Sequence, residues 1–379
     1  MVYVHIPFCR SFCTYCGFYS EVAPKCRETQ FEDYASALEK EIEIRNEDIQ
    51  RVFASGDVNT LYIGGGTPSV LPLDVFRRLL NALGRSAFDE FTVEVNPEDI
   101  VEKGTGFVEG LLSLGVNRIS MGVQSFDDAV LKWMNRRHTS AQAIQAYHIL
   151  ECSGVDNISI DLIFGLPRLT DGLWRETLDR ALDISSCGVL PNHISAYQLS
   201  VEEGSMLEKM ISKGVCAEAA EDACRGQYET LCDVLRNAGY DHYEISNFAL
   251  PGYQAKHNSA YWRHVPYIGL GPGAHSYLRG RRQWNEDNLE AYLAAGRTGD
   301  FTPVQGGESL DAEQMTIERI MLGLRTSAGV DEEYLKTYCR NGSLEEAFRN
   351  GNLVQSQNGA VRIPEDRFFI SDNIISSII

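Results

Sequence analysis

The sequence lacks a long apolar run and a basic segment near its first residue. It starts instead with a strand-like run, VYVHIPF, directly after Met1. This pattern does not favour a signal peptide or an integral membrane segment, so we expect a cytoplasmic protein. Low-complexity tracts are also missing, and 44% of the 379 residues are hydrophobic, enough to bury a full core.

Positive charge is scarce, with 34 Lys and Arg against 53 Asp and Glu, which gives a formal net charge of −19. Because an acidic chain repels phosphate backbones, we expect no nucleic-acid partner. Cysteine is too sparse for the disulfide framework of a small secreted domain, at ten residues in the whole chain. Reduced thiols fit the cytoplasm better, and three clustered cysteines near the start of the chain suggest a metal site.

Six strand-like runs alternate with helical segments through the first half of the chain. The runs are VYVHI from Val2, TLYIG from Thr60, FTVEV from Phe91, NRISM from Asn117, ISIDLIF from Ile158 and HISAYQL from His193. Apolar residues at helical spacing predict helices at 31–45, 75–83 and 141–150. Continuous Val, Ile and Leu character suits parallel strands buried on both faces. The sequence therefore predicts an α/β fold, a partial (β/α)6 barrel like an incomplete TIM barrel.

Three segments are predicted from the change in pattern along the chain. The barrel spans 1–240, and an aromatic-rich segment follows at 241–300. Residues 301–379 form a small C-terminal helical domain with a β-wing, like a winged helix. Polar and glycine residues follow the barrel strands where each ends, and these ends form the active-site face of an α/β barrel.

Cys9, Cys13 and Cys16 have the spacing C-x3-C-x2-C. Thiolates are soft ligands for iron–sulfur clusters, and three of them can hold three irons of a cubane while the fourth iron stays open. The alternative is a zinc site with Cys26 or His5 as its fourth ligand.

The segment CRSFCTYC resembles the signature of the radical-SAM superfamily. The resemblance implies that a [4Fe–4S] cluster chelates the amino and carboxylate groups of S-adenosylmethionine (SAM). Reductive cleavage of SAM in that family yields a 5′-deoxyadenosyl radical. Gly65, Gly66 and Thr67, in GGGTP, match the element that meets the methionine end of SAM.

Further residues resemble one branch of this superfamily, the group of oxygen-independent coproporphyrinogen III oxidases and HemW proteins. Residues that match the SAM-lining or cofactor-side positions of this group are Tyr3, Tyr15, Glu94, Gln124, Arg136 and Asp161. Carboxylates and an amide suit ribose hydroxyls or an ammonium, and arginine pairs with a carboxylate. Taken singly, each is equally well explained as an ordinary polar group of a barrel rim.

Two departures separate this chain from the oxidases of the group. Gly17 and Phe18 follow Cys16, where the oxidases carry an extra cysteine, and only eight residues precede Cys9, where the oxidases have a long extension. Both departures disfavour coproporphyrinogen decarboxylation.

One motif points to the HemW branch: HNSAYW resembles its H-N-x-x-Y-W signature and contributes His257, Asn258, Tyr261 and Trp262. The resemblance implies a protein that binds heme and delivers it to heme-requiring respiratory proteins. An imidazole can ligate heme iron, and aromatic rings can stack on a porphyrin. The alternative is a structural His–Asn pair under an aromatic cluster.

Other side chains remain candidates for heme contact. His275 and Cys9 compete with His257 as ligands. The basic run Arg279, Arg281 and Arg282 could meet heme propionates or form a solvated loop.

The sequence thus favours a heme chaperone with a SAM-binding cluster. The alternative is an oxygen-independent coproporphyrinogen III oxidase, which carries out a radical decarboxylation in porphyrin biosynthesis. No sequence feature selects a third reading, a methyltransferase that opens heme, and a zinc protein is the remaining alternative.

Overall fold

A computed structural model describes residues 1–22, 28–56, 58–340, 342–356 and 359–379. Cys26, the alternative zinc ligand, lies outside the described residues. Within them, no helix combines the length and the apolar character needed to cross a lipid bilayer.

The first half of the chain alternates strands and helices, as predicted. Its elements are β1 Val2–Ile6, β2 Phe8–Cys9, β3 Glu21–Val22, α1 Glu28–Ile44, α2 Asn46–Ala54, β4 Thr60–Gly65, α3 Leu73–Leu83, β5 Glu90–Val95, α4 Pro97–Ser113, β6 Arg118–Gln124, α5 Asp128–Trp133, α6 Ser140–Cys152, β7 Ile158–Phe164, α7 Asp171–Leu182 and β8 His193–Gln198. All six predicted strands and all three predicted helices are present. Helix α3 shows why: five buried apolar residues recur along one face, and Gly84 ends the helix in the left-handed conformation.

Shorter elements follow in the second half. They are α8 Met206–Ser212, α9 Glu221–Asn237, β9 Asp241–Glu244, β10 Asn247–Ala249, α10 Lys256–Trp262, β11 Ile268–Leu270, β12 His275–Leu278, β13 Arg281–Asn285, α11 Leu289–Thr298, β14 Gln305–Ser309, α12 Ala312–Leu324, β15 Val330–Asp331, α13 Glu332–Tyr338, α14 Ser343–Arg349, β16 Val354–Gln355, β17 Ala360–Arg362 and α15 Ser371–Ile378. In the described part of the chain, 3₁₀ helices lie at Pro68–Val70, Thr302–Val304 and Glu365–Ile370.

The central sheet has nine strands in the order β11-β1-β4-β5-β6-β7-β8-β10-β9. Strands β11 to β8 in this order are all parallel, and β10 and β9 are antiparallel. Over the described residues the two edge strands, β11 and β9, do not pair, so the sheet is an open, partial barrel. The predicted partial (β/α)6 architecture is confirmed. The sheet also takes β9, β10 and β11 from the segment beyond residue 240.

Beyond residue 310, the described residues of the C-terminal segment form helices α12 to α15 and a small sheet, β15-β17-β16. Its 3₁₀ helix Glu365–Ile370 packs on α9, where the rings of Phe369 and Tyr228 lie 5.5 Å apart. The segment therefore lies against the helical layer of the barrel.

The strand register places inward-facing residues of neighbouring strands directly opposite one another. Glu94 pairs with Ser120 across β5 and β6, and Asp161 pairs with Gly122 across β6 and β7. Because successive strand residues point to opposite faces, these polar residues face the barrel interior while their apolar neighbours face the helices. The sheet thus builds a polar interior inside an apolar shell.

Candidate functional site

A cavity of about 500 Å³ opens at the carboxyl ends of the parallel strands. The cysteine segment forms one wall, and the strand ends form the others. The predicted site residues along this cavity are Cys9, Cys13, Tyr15, Cys16, Gly65, Gly66, Thr67, Glu94, Gln124, Arg136 and Asp161. The structure therefore brings together the eleven residues predicted for the cluster and SAM that line this cavity, from six different parts of the chain.

The cysteine loop is tied to the barrel by specific contacts. Thr14 donates its backbone N–H to the Met134 carbonyl at 3.0 Å and its hydroxyl to the Trp133 carbonyl at 2.8 Å. The Cys9 Sγ lies 3.4 Å from the Thr67 hydroxyl. These contacts hold the loop against the glycine turn and the segment after β6.

The three thiols are half-buried. Burial raises the pKa of Cys9, and it raises the pKa of Cys16 to about 12, with the neighbouring cysteines adding to both shifts. Among the described residues, no group of three or more His, Cys, Asp or Glu side chains is arranged so that it could hold a metal ion. By their chemistry, three soft donors with no fourth ligand among the described residues suit an iron–sulfur cluster that keeps one iron open.

His5, the other alternative zinc ligand, already has both ring nitrogens in use. Its Nε2 lies 2.8 Å from the Tyr19 carbonyl, and its Nδ1 lies 3.1 Å from the Tyr3 hydroxyl. These contacts leave no lone pair for zinc. Tyr3 itself faces the interior from β1 but is not part of the cavity wall.

The glycine turn approaches β1 and β2 too closely for any side chain. A Cβ on Gly66 would lie 2.7 Å from the Phe8 carbonyl oxygen and 2.8 Å from that of Ile6. Gly65 has φ +103°, and a Cβ there would lie 2.5 Å from the His5 ring. Glycine is therefore required at both positions, which brings backbone groups up to the cavity.

Two carboxylates face each other inside the barrel. Glu94 accepts hydrogen bonds from the Tyr62 hydroxyl at 2.7 Å and from the Gly65 N–H at 3.1 Å. Burial raises the pKa of Glu94 to about 7, and the charge of Asp161 adds to the shift. Burial likewise raises the pKa of Asp161, which accepts a hydrogen bond from Ser120 at 3.2 Å. Such a pair favours a ligand that brings hydroxyl or ammonium donors.

Arg136 places a buried cation beside the cysteines. It donates to the Asn96 side chain at 2.8 Å and to the Gly122 carbonyl at 2.6 Å, and it lies 3.6 Å from the Cys13 Sγ. Its Nε is buried with no hydrogen-bond partner among the described residues. The guanidinium can therefore still take a carboxylate.

Sequence reasoning missed several residues of this cavity, including Tyr62, Asn96, Arg118 and Tyr197. Arg118 is 1% exposed, and its Nε has no hydrogen-bond partner among the described residues. The sequence did carry a signal for Arg118. On β6 it lies two residues before Ser120 and four before Gly122, which pairs with Asp161, so all three share the inward face of the strand.

The HNxxYW motif lies at the opposite end of the barrel, on α10. The first residue of β5, Glu90, accepts the backbone N–H of His257 at 3.0 Å and that of Lys256 at 2.7 Å. The His257 Nδ1 lies 2.8 Å from the hydroxyl of Thr60, the first residue of β4, and its Nε2 lies 3.1 Å from the Tyr261 hydroxyl. Burial lowers the pKa of His257 to about 3.

The motif therefore closes the floor of the barrel. Asn258 reaches the cavity from below, and Trp262 is half-buried at the end of the helix. With both nitrogens engaged and the ring 1% exposed, His257 has no face open to heme. We therefore correct the expectation that His257 ligates heme and favour the structural alternative for this motif.

Apart from Cys9, which lines the cavity, the remaining heme candidates lie on the small sheet β12-β13-β14 or in the turn that joins β12 to β13. His275 is exposed and stacks on Trp284, with ring centroids 5.9 Å apart. Arg282 forms ion pairs with Glu308 and Glu318. Arg279 and Arg281 are exposed, and no ion pair to either is found within the described ranges.

Comparisons with known proteins bear directly on this site. The profile of the Radical SAM superfamily matches residues 3–181, which include the cysteine loop and the strands up to β7. In fold, the chain is similar to the Escherichia coli radical-SAM enzyme coproporphyrinogen III oxidase (HemN). The TM-score is 0.78 at 20% identity, covering 99% of this chain and 89% of that one.

Two curated relatives named heme chaperone HemW match over most of their length. The protein of Lactococcus lactis is 36% identical over 332 residues, which cover 86% of this chain and 82% of the relative. The protein of Bacillus subtilis is 31% identical over 378 residues, which cover 97% of this chain and 94% of the relative. The chain therefore belongs to the HemW family of radical-SAM proteins.

Proposed function

We propose that this protein is a heme chaperone that holds a [4Fe–4S] cluster and SAM, binds heme, and delivers it to heme-requiring respiratory proteins in the cytoplasm. The observation that carries the proposal is the similarity to relatives named heme chaperones, at 31% identity or more over 86–97% of this chain. The arrangement of the cavity supports the cofactor part of the proposal.

Cys9, Cys13 and Cys16 would hold the cluster, which supplies one-electron chemistry when bound. The cavity has a volume typical of small-molecule sites, about 500 Å³. Within it, Glu94 and Asp161 would accept donors from SAM, and Arg136 would pair with its carboxylate. The glycine turn, with Thr67, would meet its methionine end, and the other predicted contacts are Tyr3, Tyr15 and Gln124.

The alternative function is that of an oxygen-independent coproporphyrinogen III oxidase. The structural likeness to HemN supports a shared fold, and at 20% identity it supports nothing finer. The residues after Cys16 disfavour the oxidase, because Gly17 and an exposed Phe18 occupy the place of its extra cysteine.

Heme titration tests the proposal. Adding heme to the full chain should give a saturable shift of the Soret band at about one heme per chain, since an axial side chain changes the electronic spectrum of the iron. Heme in buffer without protein is the control. An absorbance that rises linearly with added heme, with no saturation, would contradict specific heme binding and therefore the chaperone function.

A further inference from the structure

All eight histidines lie in the described part of the chain, so each can be assessed as a heme ligand. His5, His138, His193, His242 and His257 are buried. The His148 Nε2 donates to the Ile184 carbonyl at 3.0 Å, and His264 pairs with Glu318 at 3.2 Å. His275 alone of the eight is exposed, and no described residue forms a hydrogen bond with its ring.

The surroundings of His275 suit a flat aromatic ligand. Trp284 lies directly across from it on β13, with the two rings stacked at an interplanar angle of 27°. On the next strand, Gly306 pairs with Trp284, and a Cβ on Gly306 would lie 2.3 Å from the indole. The indole therefore lies flat across the sheet, and because it is nearly parallel to the imidazole, its edge would meet the face of a porphyrin bound through His275.

The backbone beneath His275 is held firmly. A Cβ on Gly269 would lie 2.0 Å from the His275 carbonyl oxygen, so β11 and β12 are in close contact. The Ser276 hydroxyl accepts from the Gly269 N–H at 3.0 Å and from Arg45 at 3.0 Å. A ligand imidazole on a fixed backbone loses little conformational freedom when it binds a metal.

We infer that His275 is the axial ligand of heme and that Trp284 forms an apolar flank of the heme site on the β12-β13-β14 sheet. This inference rests on the proposed heme-binding function and deepens it. Neither residue is part of the cavity wall, so heme on the sheet and SAM in the barrel occupy separate places. A single imidazole bond at an exposed surface suits a protein that must release its cargo.

The experiment compares His275→Ala with His257→Ala in the full chain, each titrated with heme and followed by visible and electron paramagnetic resonance spectra. The wild type should show an imidazole-ligated heme. His275→Ala should lose that signature, release heme at least about tenfold faster, and regain the signature when free imidazole is added. His257→Ala should keep the signature while lowering the thermal stability, because it removes two buried hydrogen bonds.

The outcomes separate this inference from the proposed function. If His275→Ala binds heme with an unchanged spectrum, the inference is overturned and heme binding stands with another ligand. If His257→Ala rather than His275→Ala removes the imidazole signature, it is likewise overturned. If the wild type binds no heme, the proposed heme-chaperone function is contradicted, and the inference about His275 is overturned with it. Because His275 is exposed, its replacement should leave the circular dichroism spectrum unchanged.

Discussion

Replacing Cys9, Cys13 or Cys16 singly with alanine is expected to abolish cluster binding. Wild-type protein reconstituted anaerobically should hold about four iron and four sulfide per chain, and each variant close to none. The reason is geometric: the three thiols line one wall of the cavity, and no other soft ligand of the described residues lies beside them. Iron and acid-labile sulfide analysis measures the result.

Cys187→Ala provides the matched control, since this thiol is exposed and lies away from the cavity. It should retain the full cluster. Iron and sulfide that remain in the triple alanine variant, or uptake of zinc alone, would contradict the cluster assignment.

The second large effect is expected at the glycine turn. Gly66→Ala places a methyl group within 2.8 Å of two backbone carbonyls, those of Phe8 and Ile6. These carbonyl groups are part of the backbone and cannot rotate away from the added methyl group as a side chain could. The glycine turn must therefore shift relative to the segment that leads into Cys9. Overpacking of this kind costs about 1–3 kcal/mol of stability, and the shift should weaken SAM binding at least about tenfold.

Gly226→Ala is the control for this prediction. Gly226 lies inside α9, and no atom lies within 4 Å of the position a Cβ would occupy. Alanine there should leave SAM binding unchanged and raise stability by roughly 0.5–1 kcal/mol. Equilibrium dialysis with the cluster-loaded protein and thermal unfolding report both quantities. Equal SAM affinity in Gly66→Ala and wild type would show that the turn does not form the SAM site.

The barrel strands were predictable because their signal is local. Each buried strand reads as a short apolar run, and parallel strands bring their carboxyl ends to one edge. Together with the resemblance to the radical-SAM family, this was enough to expect Glu94, Asp161 and the glycine turn around one cavity. Strand β11 was not predictable, because its three residues carry little pattern and its partner β1 lies at the other end of the sequence.

The position of the HNxxYW motif was also beyond sequence reasoning. His257 meets Thr60 across 197 residues and Glu90 across 167. Such contacts determine whether an imidazole is free to bind a metal or belongs to a buried hydrogen-bond network. Residue type alone does not distinguish these two roles. Arg118 was missed for a different reason: an arginine in a strand is normally solvated, and this outweighed its inward-facing position on β6.

The most direct test is an anaerobic assay of the reconstituted protein with SAM, a reductant and coproporphyrinogen III, with protoporphyrinogen IX measured over time. As a heme chaperone, the protein should form no protoporphyrinogen, and a parallel sample should bind about one heme per chain. Steady formation of protoporphyrinogen IX that is lost in Cys13→Ala would contradict the chaperone function and establish the oxidase.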